Sequence, residues 1–408
     1  MCATRAEPAG GKIMLVLLVL AAIVNYTDRS IFSIAMPAIK ADFAFTDSEL
    51  GLLGGLSFGV FYGLAALPIG YLATRFSRRT LLAACLAVWS CATTLTSFAG
   101  GFATLFTARA VVGMGEAGGV PLSLSLIAAR YRGAERPGAT GWLTAGQYLG
   151  AVLGALATGK LIAMLGWRPA FLLLGAPGLL LALVLRLAVQ EAASPAPGEK
   201  PALAEALALW RESGMRHLTV AFVASLLVHY GSQAWIPSFY ARIFHLGSAQ
   251  IGLLAGLLSL CAMTGALAGG TLARHAGSGR PGFGLFMAAI VSALSVPAGF
   301  AACYARNALL SETMMGVTQF AVGLRIAMLY TAQQDIAPAP VRPLVIAIVA
   351  CVSVLIGSGL GPLLVGEISD HAAGGLPLGL AVAISLAGWS AYHCWRAGVW
   401  QRAQGAVD

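Results

Sequence analysis

The sequence contains long runs without a single charged residue, and these runs limit what the chain can fold into. About 20 helical residues cross a hydrocarbon core about 30 Å thick, and each run reaches that length. Only helices and closed barrels satisfy backbone polar groups in lipid, and the runs lack the sustained alternation of a barrel strand, which favours helices. The runs without Asp, Glu, Lys or Arg are 50–74, 80–108, 137–159, 243–273, 281–305, 343–366 and 371–395.

Composition supports a membrane protein. Only 10% of the 408 residues are charged, whereas soluble domains carry about 25%. We predict an all-α membrane protein with twelve transmembrane helices. The predicted spans are 12–38, 48–74, 80–99, 102–130, 138–165, 168–189, 217–241, 250–273, 281–304, 307–334, 342–368 and 375–396.

Internal similarity divides the chain into two halves. "VNYTDRS" at 24–30 aligns with "VHYGSQA" at 228–234, and "ELGLLGGL" at 49–56 aligns with "QIGLLAGL" at 250–257. Two pseudo-symmetric six-helix bundles with repeated motifs are the plan of the major facilitator fold, which we therefore predict. In that fold the substrate site lies between the halves near the midplane. A polar stretch, 190–217, separates the halves and includes "PALAEALALWRESG", which is typical of a short helix at the membrane surface. We therefore predict an N-terminal bundle at 1–190, a cytoplasmic linker with a short amphipathic helix at 191–216 and a C-terminal bundle at 217–408.

The basic residues predict the orientation. If the N-terminus is cytoplasmic, 17 of the 25 Lys and Arg residues fall on the cytoplasmic side, five fall outside and three lie at membrane depth. This asymmetry follows the positive-inside rule, so the net charge of +9 indicates topology rather than nucleic-acid binding. We predict a multi-pass protein of a bacterial inner membrane, with both termini cytoplasmic, that works as a monomer.

Cofactor chemistry has no support in the sequence. The seven cysteines are scattered and show no spacing of a metal site or a disulfide framework. No HExxH or GxSxG motif is present and the six histidines are dispersed, which disfavours a membrane-embedded enzyme. We expect no metal, no cofactor and no enzyme activity.

Four charged residues inside the first and fourth predicted spans are the main functional candidates. A charge at the centre of a spanning helix costs about 2.5–3.5 kcal/mol on insertion scales, yet Asp28 and Arg29 lie side by side in the first span. Arg109 and Glu116 are seven residues apart, so they share one face of the fourth span. If the two spans are neighbours, the four charges form a neutral cluster. The alternative is a pair of permanent salt bridges that hold the spans together.

The residue types predict different roles. Asp28 and Glu116 are candidate proton acceptors, because burial disfavours a carboxylate while a nearby arginine favours it. Arg29 and Arg109 stay protonated and present forked donors suited to a phosphate or carboxylate. Arg325, in the tenth span, is expected to snorkel to the interface. Further candidates for cavity walls are the polar residues Asn25, Gln147, Tyr148, His229, Gln233 and Gln319 and the aromatic residues Phe32, Phe58, Tyr62, Trp235 and Phe320.

Several motifs together resemble the spinster family of the major facilitators. They are "NYTDR" in the first span, "DSELGLLGGLSFGVFYGLAALPIGYL" in the second, and "RAVVGMGEA" at 109–117. "GYLATRFSRR" at 70–79 is similar to the gating loop of the superfamily, with Gly70, Arg75, Arg78 and Arg79 as its motif residues, and "GWRPAF" at 166–171 is also common there. The loop motif usually carries an acid where this sequence has Thr74, which leaves the energetics of the gate open.

The resemblance implies a transporter of lysophospholipids or sphingoid-base phosphates, with Asp28, Arg29, Arg109 and Glu116 as its proton-linked polar cluster. We predict a proton-linked secondary active transporter that moves an amphiphilic anion by alternating access. "NYxDR" also occurs in organic-anion symporters, so a proton-coupled carrier of small organic anions or drugs is the alternative. A sensor that does not transport, built on the same fold, is a further alternative because of Thr74.

Overall fold

The structure is a computed structural model that describes residues 9–131, 133, 135–189, 203–276, 280–338 and 341–404, and over these residues it contains helices and no strand. The helices are α1 (Ala9–Phe43), α2 (Asp47–Gly54), α3 (Leu56–Leu72), α4 (Arg78–Thr96), α5 (Phe102–Glu116), α6 (Gly119–Arg130), α7 (Glu135–Leu165), α8 (Trp167–Ala188), α9 (Leu203–Ala208), α10 (Ser213–Ile243), α11 (Ser248–Ala276), α12 (Phe283–Tyr304), α13 (Ala308–Ile336), α14 (Arg342–His371) and α15 (Gly375–Gln404).

These helices form twelve membrane-spanning segments. Ten segments are long and apolar enough to cross a bilayer, and α2 with α3, like α5 with α6, counts as one of them. The remaining two, α10 and α13, have 31 and 29 residues and contain more polar side chains. Helix α10 packs against α14 and α15, and α13 packs against α11 and α12. The predicted all-α fold with twelve spans is confirmed.

The second and fourth spans are broken, which the sequence did not predict. Helix α2 begins with a capping box in which Thr46 and Glu49 bond each other's backbone N–H groups, and it ends at Gly55. A Cβ atom on Gly55 would lie 2.5 Å from the carbonyl oxygen of Gly359, so only glycine permits this approach to α14. The fourth span breaks at Ala117 and Gly118, directly after Glu116.

A short helix follows the segment between the halves. Helix α9 and a 3₁₀ turn at Leu209–Arg211 precede α10, which begins at Ser213 and not at the predicted residue 217. Ala206 is fully buried, and the indole N–H of Trp210 donates to Thr219 Oγ1 at 3.1 Å. The short helix is therefore docked on the second group of spans. Residues 190–202 of the predicted linker lie outside the described residues, and the division of the chain into three parts stays a prediction.

The helix bundle has a closed end and an open end. At the closed end, which carries Phe43 and Ile243, one apolar core includes buried side chains from both groups of spans, such as Ile39 and Phe239. Helices α7 and α11 touch there through glycines, since a Cβ on Gly159 would meet the Cα of Gly252 at 2.6 Å. At the opposite end, the open end, a cavity of about 700 Å³ separates the same two helices.

Asp47 joins both groups of helices at the closed end. Arg242 of α10 donates two hydrogen bonds to its carboxylate, at 2.6 and 2.7 Å, and Ser369 of α14 donates a third at 2.5 Å. Lys40 of α1 also pairs with it. The carboxylate of Asp370 accepts from the backbone N–H of Asp47 at 3.0 Å. We call these five residues the Asp47 latch. Because they come from α1, α2, α10 and α14, the latch holds the closed end shut.

Candidate functional site

The predicted charged residues of the first half meet where the fourth span is broken. Arg29 Nε donates to Glu116 Oε2 at 2.8 Å, and Glu116 is the last residue of α5. The side chain of Glu116 is fully buried, whereas that of Arg29 keeps 18% of its surface exposed. Within the described part of the chain, Glu116 Oε1 has no hydrogen-bond partner. One carboxylate oxygen is thus paired with Arg29, and the carboxyl group also lies against the Asn25 side chain.

The Asp28 carboxylate is hydrogen-bonded to α4, a helix for which the sequence did not predict a role in the site. The hydroxyl of Thr93 in α4 lies 2.7 and 2.8 Å from the two carboxylate oxygens of Asp28 and donates to them. Both side chains are buried. Sequence reasoning missed Thr93, although consecutive threonines at 93 and 94 within an otherwise apolar run were a usable signal. Asp28 is therefore anchored inside the first group of spans.

Aromatic rings surround the two arginines. The Arg109 guanidinium lies 4.8 Å from the centre of the Phe32 ring and 5.1 Å from that of Phe58. Arg29 lies 5.5 Å from Phe58 and 5.6 Å from Tyr62. A cation over an aromatic face gains more when it is desolvated. Arg109 is in none of the described ion pairs, and its Nε atom has no hydrogen-bond partner there. Its charge is stabilised by rings and remains available to an anion.

Both arginines face a small cavity between the two groups of spans, which we call the central cavity. Its volume is about 50 Å³, and its lining includes no carboxylate. Asp28 and Glu116 lie behind the arginines, so the predicted cluster is assembled but only its cations reach the cavity. The lining residues are Arg29, Phe32, Ser33, Met36, Gly54, Phe58, Arg109, Tyr230, Gln233, Ala234, Ser358 and Pro362.

The other predicted polar residues are spread over several places. His229, Gln233 and Gln319 line a neighbouring cavity of about 70 Å³, which shares Ser33 and Gln233 with the central cavity. Tyr148 lines the large cavity at the open end. The two remaining residues face neither central space: Asn25 lines a separate small cavity inside the first group of spans, and Gln147 is half-buried on α7 and lines none of these cavities.

The predicted aromatic residues also divide. Phe32 and Phe58 line the central cavity, and Tyr62 packs beside Phe58 at 5.6 Å between ring centres. Trp235 does not face a cavity, because it is fully buried and its indole N–H donates to the carbonyl of Pro362 at 2.8 Å. Phe320 is exposed on the outside of α13.

The residues of the predicted gating loop make local contacts. Thr74 Oγ1 donates to the carbonyl of Tyr71 at 2.8 Å, one turn back in the chain. Arg75 lies over the Tyr71 ring at 4.6 Å, and Arg79 donates to the carbonyl of Val189 at 2.6 Å. A Cβ on Gly70 would meet nothing within 4 Å. These contacts stay within the first group of spans.

The prediction for Arg325 is wrong. Its side chain does not reach the interface but is fully buried among the second group of spans. Arg325 Nη1 donates a long hydrogen bond to Ser292 Oγ at 3.5 Å. The other two nitrogens that are buried, Nε and Nη2, have no partner among the described residues. A buried charge without a partner is costly. Its position at membrane depth was predictable from the sequence, whereas its surroundings were not, because they depend on how α12 and α13 pack.

The described residues offer no cluster of three or more His, Cys, Asp or Glu that would hold a metal ion. The centre of the molecule instead combines two cations, two shielded acids and a cavity shared by both groups of spans. Twelve spans that close at one end and open at the other around such a centre define a membrane carrier. The chain belongs to the Major Facilitator Superfamily, whose family description matches residues 18–362. The family consists of transporters, which confirms the prediction of a transporter and not an enzyme.

Relatives of known name are similar over parts of the chain. The probable galactarate/D-glucarate transporter GudP of Bacillus subtilis (strain 168) is 26% identical over 304 residues, which cover 64% of this chain and 66% of that protein. The probable sulfoacetate transporter SauU of Cupriavidus necator is 30% identical over 61% of each chain. An MFS-type efflux pump of Mycolicibacterium smegmatis is 26% identical over 86% of this chain and 83% of its own. The alignments thus span slightly less than two thirds of GudP and of SauU.

Two solved structures have the same fold. Both are of a bacterial homolog to the human lysosomal transporter Spinster, in inward-facing unoccupied and inward-facing occupied conformations. Each has a TM-score of 0.87 and 22% sequence identity, and they cover 97% and 98% of this chain. At that identity the likeness concerns the fold, and it agrees with the resemblance to the spinster family found in the motifs.

Proposed function

We propose that this protein is a proton-linked secondary active transporter that moves an organic anion across the membrane by alternating access. The observation that carries the proposal is the central cavity, where Arg29 and Arg109 face the space between the halves while Asp28 and Glu116 lie behind them. Guanidinium groups are suited to carboxylates and phosphates, and ionisable groups at membrane depth mark substrate and proton pathways.

The geometry suggests how the anion and the proton are linked. Arg109 has no carboxylate partner among the described ion pairs, so it is the first attachment point for an anion. A second contact with Arg29 competes with the Arg29–Glu116 pair. Once Glu116 loses its cation it is a buried carboxylate without a partner, and protonation removes that cost. Asp28, held by Thr93, is the second candidate proton acceptor. Anion binding and proton uptake therefore support each other.

An amphiphilic anion is the favoured cargo. Arg29 and Arg109 provide a charged site for its head group, and Phe32, Phe58 and Met36 provide apolar walls beside it. The motifs that resemble the spinster family favour the same class. The alternative is a small organic anion, which is favoured by relatives that are named as sugar-acid and sulfoacetate transporters. Drug efflux is a further alternative, since one relative is named an efflux pump.

The open end is assigned to the cytoplasm. Arg75, Arg78, Arg79 and Arg130 lie at that end, and cytoplasmic loops are enriched in Lys and Arg. The two structures of similar fold are described as inward-facing. We therefore propose an inward-open state of a monomer in a bacterial inner membrane, with both termini cytoplasmic and with the halves bounded as the sequence predicts.

Proteoliposomes that contain a pH-sensitive dye test the proposal. We expect labelled lysophosphatidate to undergo counterflow and to move protons with it, whereas galactarate does not. Glu116→Gln should lose proton-driven net transport by about 100-fold but keep exchange of labelled for unlabelled substrate, because exchange needs no deprotonation. Glu312→Gln, a half-buried acid on α13, is the matched control and should behave as the wild type.

Three results would count against parts of the proposal. Counterflow with galactarate alone would favour the small-anion alternative. Transport by the wild type without any movement of protons would remove the coupling. Binding without transport of either compound at any imposed pH gradient would favour the sensor.

A further inference from the structure

Glu116 needs a route for protons that the central cavity does not provide. Its paired oxygen is covered by Arg29, and its side chain is absent from the lining of the central cavity. Three charged groups lie close enough to influence the Glu116 carboxyl group: Arg29, Arg109 and Asp28. The two cations, Arg29 and Arg109, lie between Glu116 and the central cavity. A positively charged entrance disfavours an approaching proton. Protons must therefore reach Glu116 from the side away from the two arginines.

A small cavity, which we call the inner cavity, lies among α1, α4, α6 and α7. Glu116 does not line it, but Asn25 does, and the Asn25 side chain connects the inner cavity to the Glu116 carboxyl group. Its volume is about 10 Å³, which is about the space that one water molecule requires. The residues that line it are Ala21, Ala22, Asn25, Trp89, Gly119, Val120, Ser123 and Leu143.

The polar atoms around the inner cavity lack partners. Asn25 Oδ1 and Trp89 Nε1 have no hydrogen-bond partner within the described residues, and Asn25 and Trp89 are 2% and 1% exposed. The hydroxyl of Ser123 donates to the carbonyl of Gly119 at 2.7 Å, so its oxygen is free to accept. Buried polar groups are almost always hydrogen-bonded to protein or to ordered water. A site with several such groups and room for one water is expected to be hydrated.

The inner cavity lies between Glu116 and the open end. Along α1, Ala21 and Asn25 come before Asp28 and so lie nearer to the open end. Along the fourth span, Gly119 follows Glu116 by three residues, after the break at Ala117 and Gly118, and Ser123 leads on to Arg130 at the open end. The Asn25 side chain lies against the Glu116 carboxyl group. Broken membrane helices are typical of coupling-ion sites, because their backbone no longer fills the space.

We propose that the inner cavity binds one water molecule, and that this water transfers protons between Glu116 and the open end along a path separate from that of the anion. The water accepts from Trp89 Nε1–H and donates to Asn25 Oδ1. When an anion takes Arg29 from Glu116, the freed carboxylate takes a proton from the hydrated site, and the water regains one from the open end. The water site stands on the geometry alone, whereas its role in proton transfer rests on the proposed function.

Gly119→Ala is a selective test of the water. A Cβ on Gly119 would lie 3.6 Å from Asn25 Nδ2 and 3.7 Å from the Trp89 ring, so a methyl group fits in ordinary contact and fills the inner cavity. The matched control is Gly270→Ala on α11, where a Cβ would meet nothing within 4 Å. Both changes place alanine for glycine in a helix, at the first residue of α6 and in the interior of α11, and only the methyl group on Gly119 enters the inner cavity.

The first measurement is the hydrogen bonding of the Trp89 indole, taken as the ultraviolet resonance Raman difference between each protein and its Trp89→Phe variant. We expect a hydrogen-bonded indole N–H in the wild type and in Gly270→Ala, and a free one in Gly119→Ala. A free indole in the wild type would overturn the water site whatever the transport data show.

The second measurement uses the proteoliposomes with lysophosphatidate and galactarate in parallel. We expect Gly119→Ala to slow substrate-linked proton movement by about tenfold or more, with exchange unchanged, and Gly270→Ala to match the wild type. Equal proton movement in both variants would overturn the role of the water in proton transfer. If the wild type itself moves substrate without protons, the proposed function and this role both fail, while the Raman result still decides whether the water is present.

Discussion

At the scale of single residues, the three arginines at membrane depth are stabilised in different ways. Arg29 pairs with a carboxylate, and Arg109 lies between the rings of Phe32 and Phe58. Arg325 has neither kind of contact among the described residues and is completely buried. The free-energy cost of burying a charge depends on such partners. The same residue type therefore affects the stability of the protein differently at each of these three positions.

Arg325→Met is predicted to stabilise the protein. Methionine fills a similar volume, and the substitution removes a charge whose desolvation is not compensated in the described structure. We expect the free energy of unfolding to rise by about 1–3 kcal/mol, measured as thermal unfolding in detergent. Arg29→Met is the contrasting variant, because it leaves Glu116 buried without its cation and should cost about 3–5 kcal/mol. A lower unfolding temperature for Arg325→Met would mean that this arginine has an anionic partner.

Residue counting along single helices predicted part of the site. The depth of Asp28 and the shared face of Arg109 and Glu116 follow from the rise and period of a helix, and the structure brings these residues to one region. The bond from Thr93 to Asp28 and the ring contacts of Arg109 join different helices. Such contacts depend on which helices are neighbours and on their rotation, and a single sequence does not contain that information.

At the scale of helices, the two breaks show what hydropathy does not reveal. The second and fourth spans read as continuous apolar runs, since glycine is common in membrane helices and does not by itself mark a break. The backbone of α14 approaches Gly55, between α2 and α3, and Gly115 packs tightly on Trp89 just before the break after Glu116. Both breaks accompany close packing against a neighbouring helix, which a single sequence does not contain, so twelve spans were predictable and their interruptions were not.

Gly55→Ala is predicted to destabilise the contact between the halves. The added methyl group would overlap the carbonyl oxygens of Gly359 and Ser358, at 2.5 and 3.1 Å from its ideal position, and overpacking costs about 1–3 kcal/mol. Gly63→Ala is the control in the same span, because its nearest neighbour would be the Leu355 side chain at 3.4 Å. Thermal unfolding should show a loss for Gly55→Ala and none for Gly63→Ala. Equal stability of the two variants would mean that α14 moves aside without cost.

At the scale of the whole molecule, the two ends are held by different forces. The Asp47 latch joins α1, α2, α10 and α14 at the closed end, and Asp47 is only 3% exposed. At the open end, Thr74 stands where the superfamily motif usually has an acid, and its hydroxyl donates within its own turn, to the carbonyl of Tyr71. An ionic network with little exposure to water is worth more than an exposed pair. The balance of these forces favours the state in which the latch is closed.

Asp47→Asn is predicted to open the closed end. Asparagine removes the charge that Arg242 and Lys40 share, and two cations near one another then repel. We expect faster hydrogen exchange, measured by mass spectrometry, in the first turns of α2 and the last turns of α10. Asp42→Asn is the matched control: its pair with Arg168 lies within the first group of spans, and both side chains are 42% exposed, so its effect should be about 0–1 kcal/mol.

The same measurement separates a latch from a merely local bond. If Asp47 joins the halves, exchange in Asp47→Asn should rise on both sides of the contact, in α2 and in α10, and fall at the open end as α7 and α11 approach. A rise confined to α2 would show that Asp47 stabilises only its own helix, and the preference for the present state would then have to come from the apolar core of the closed end.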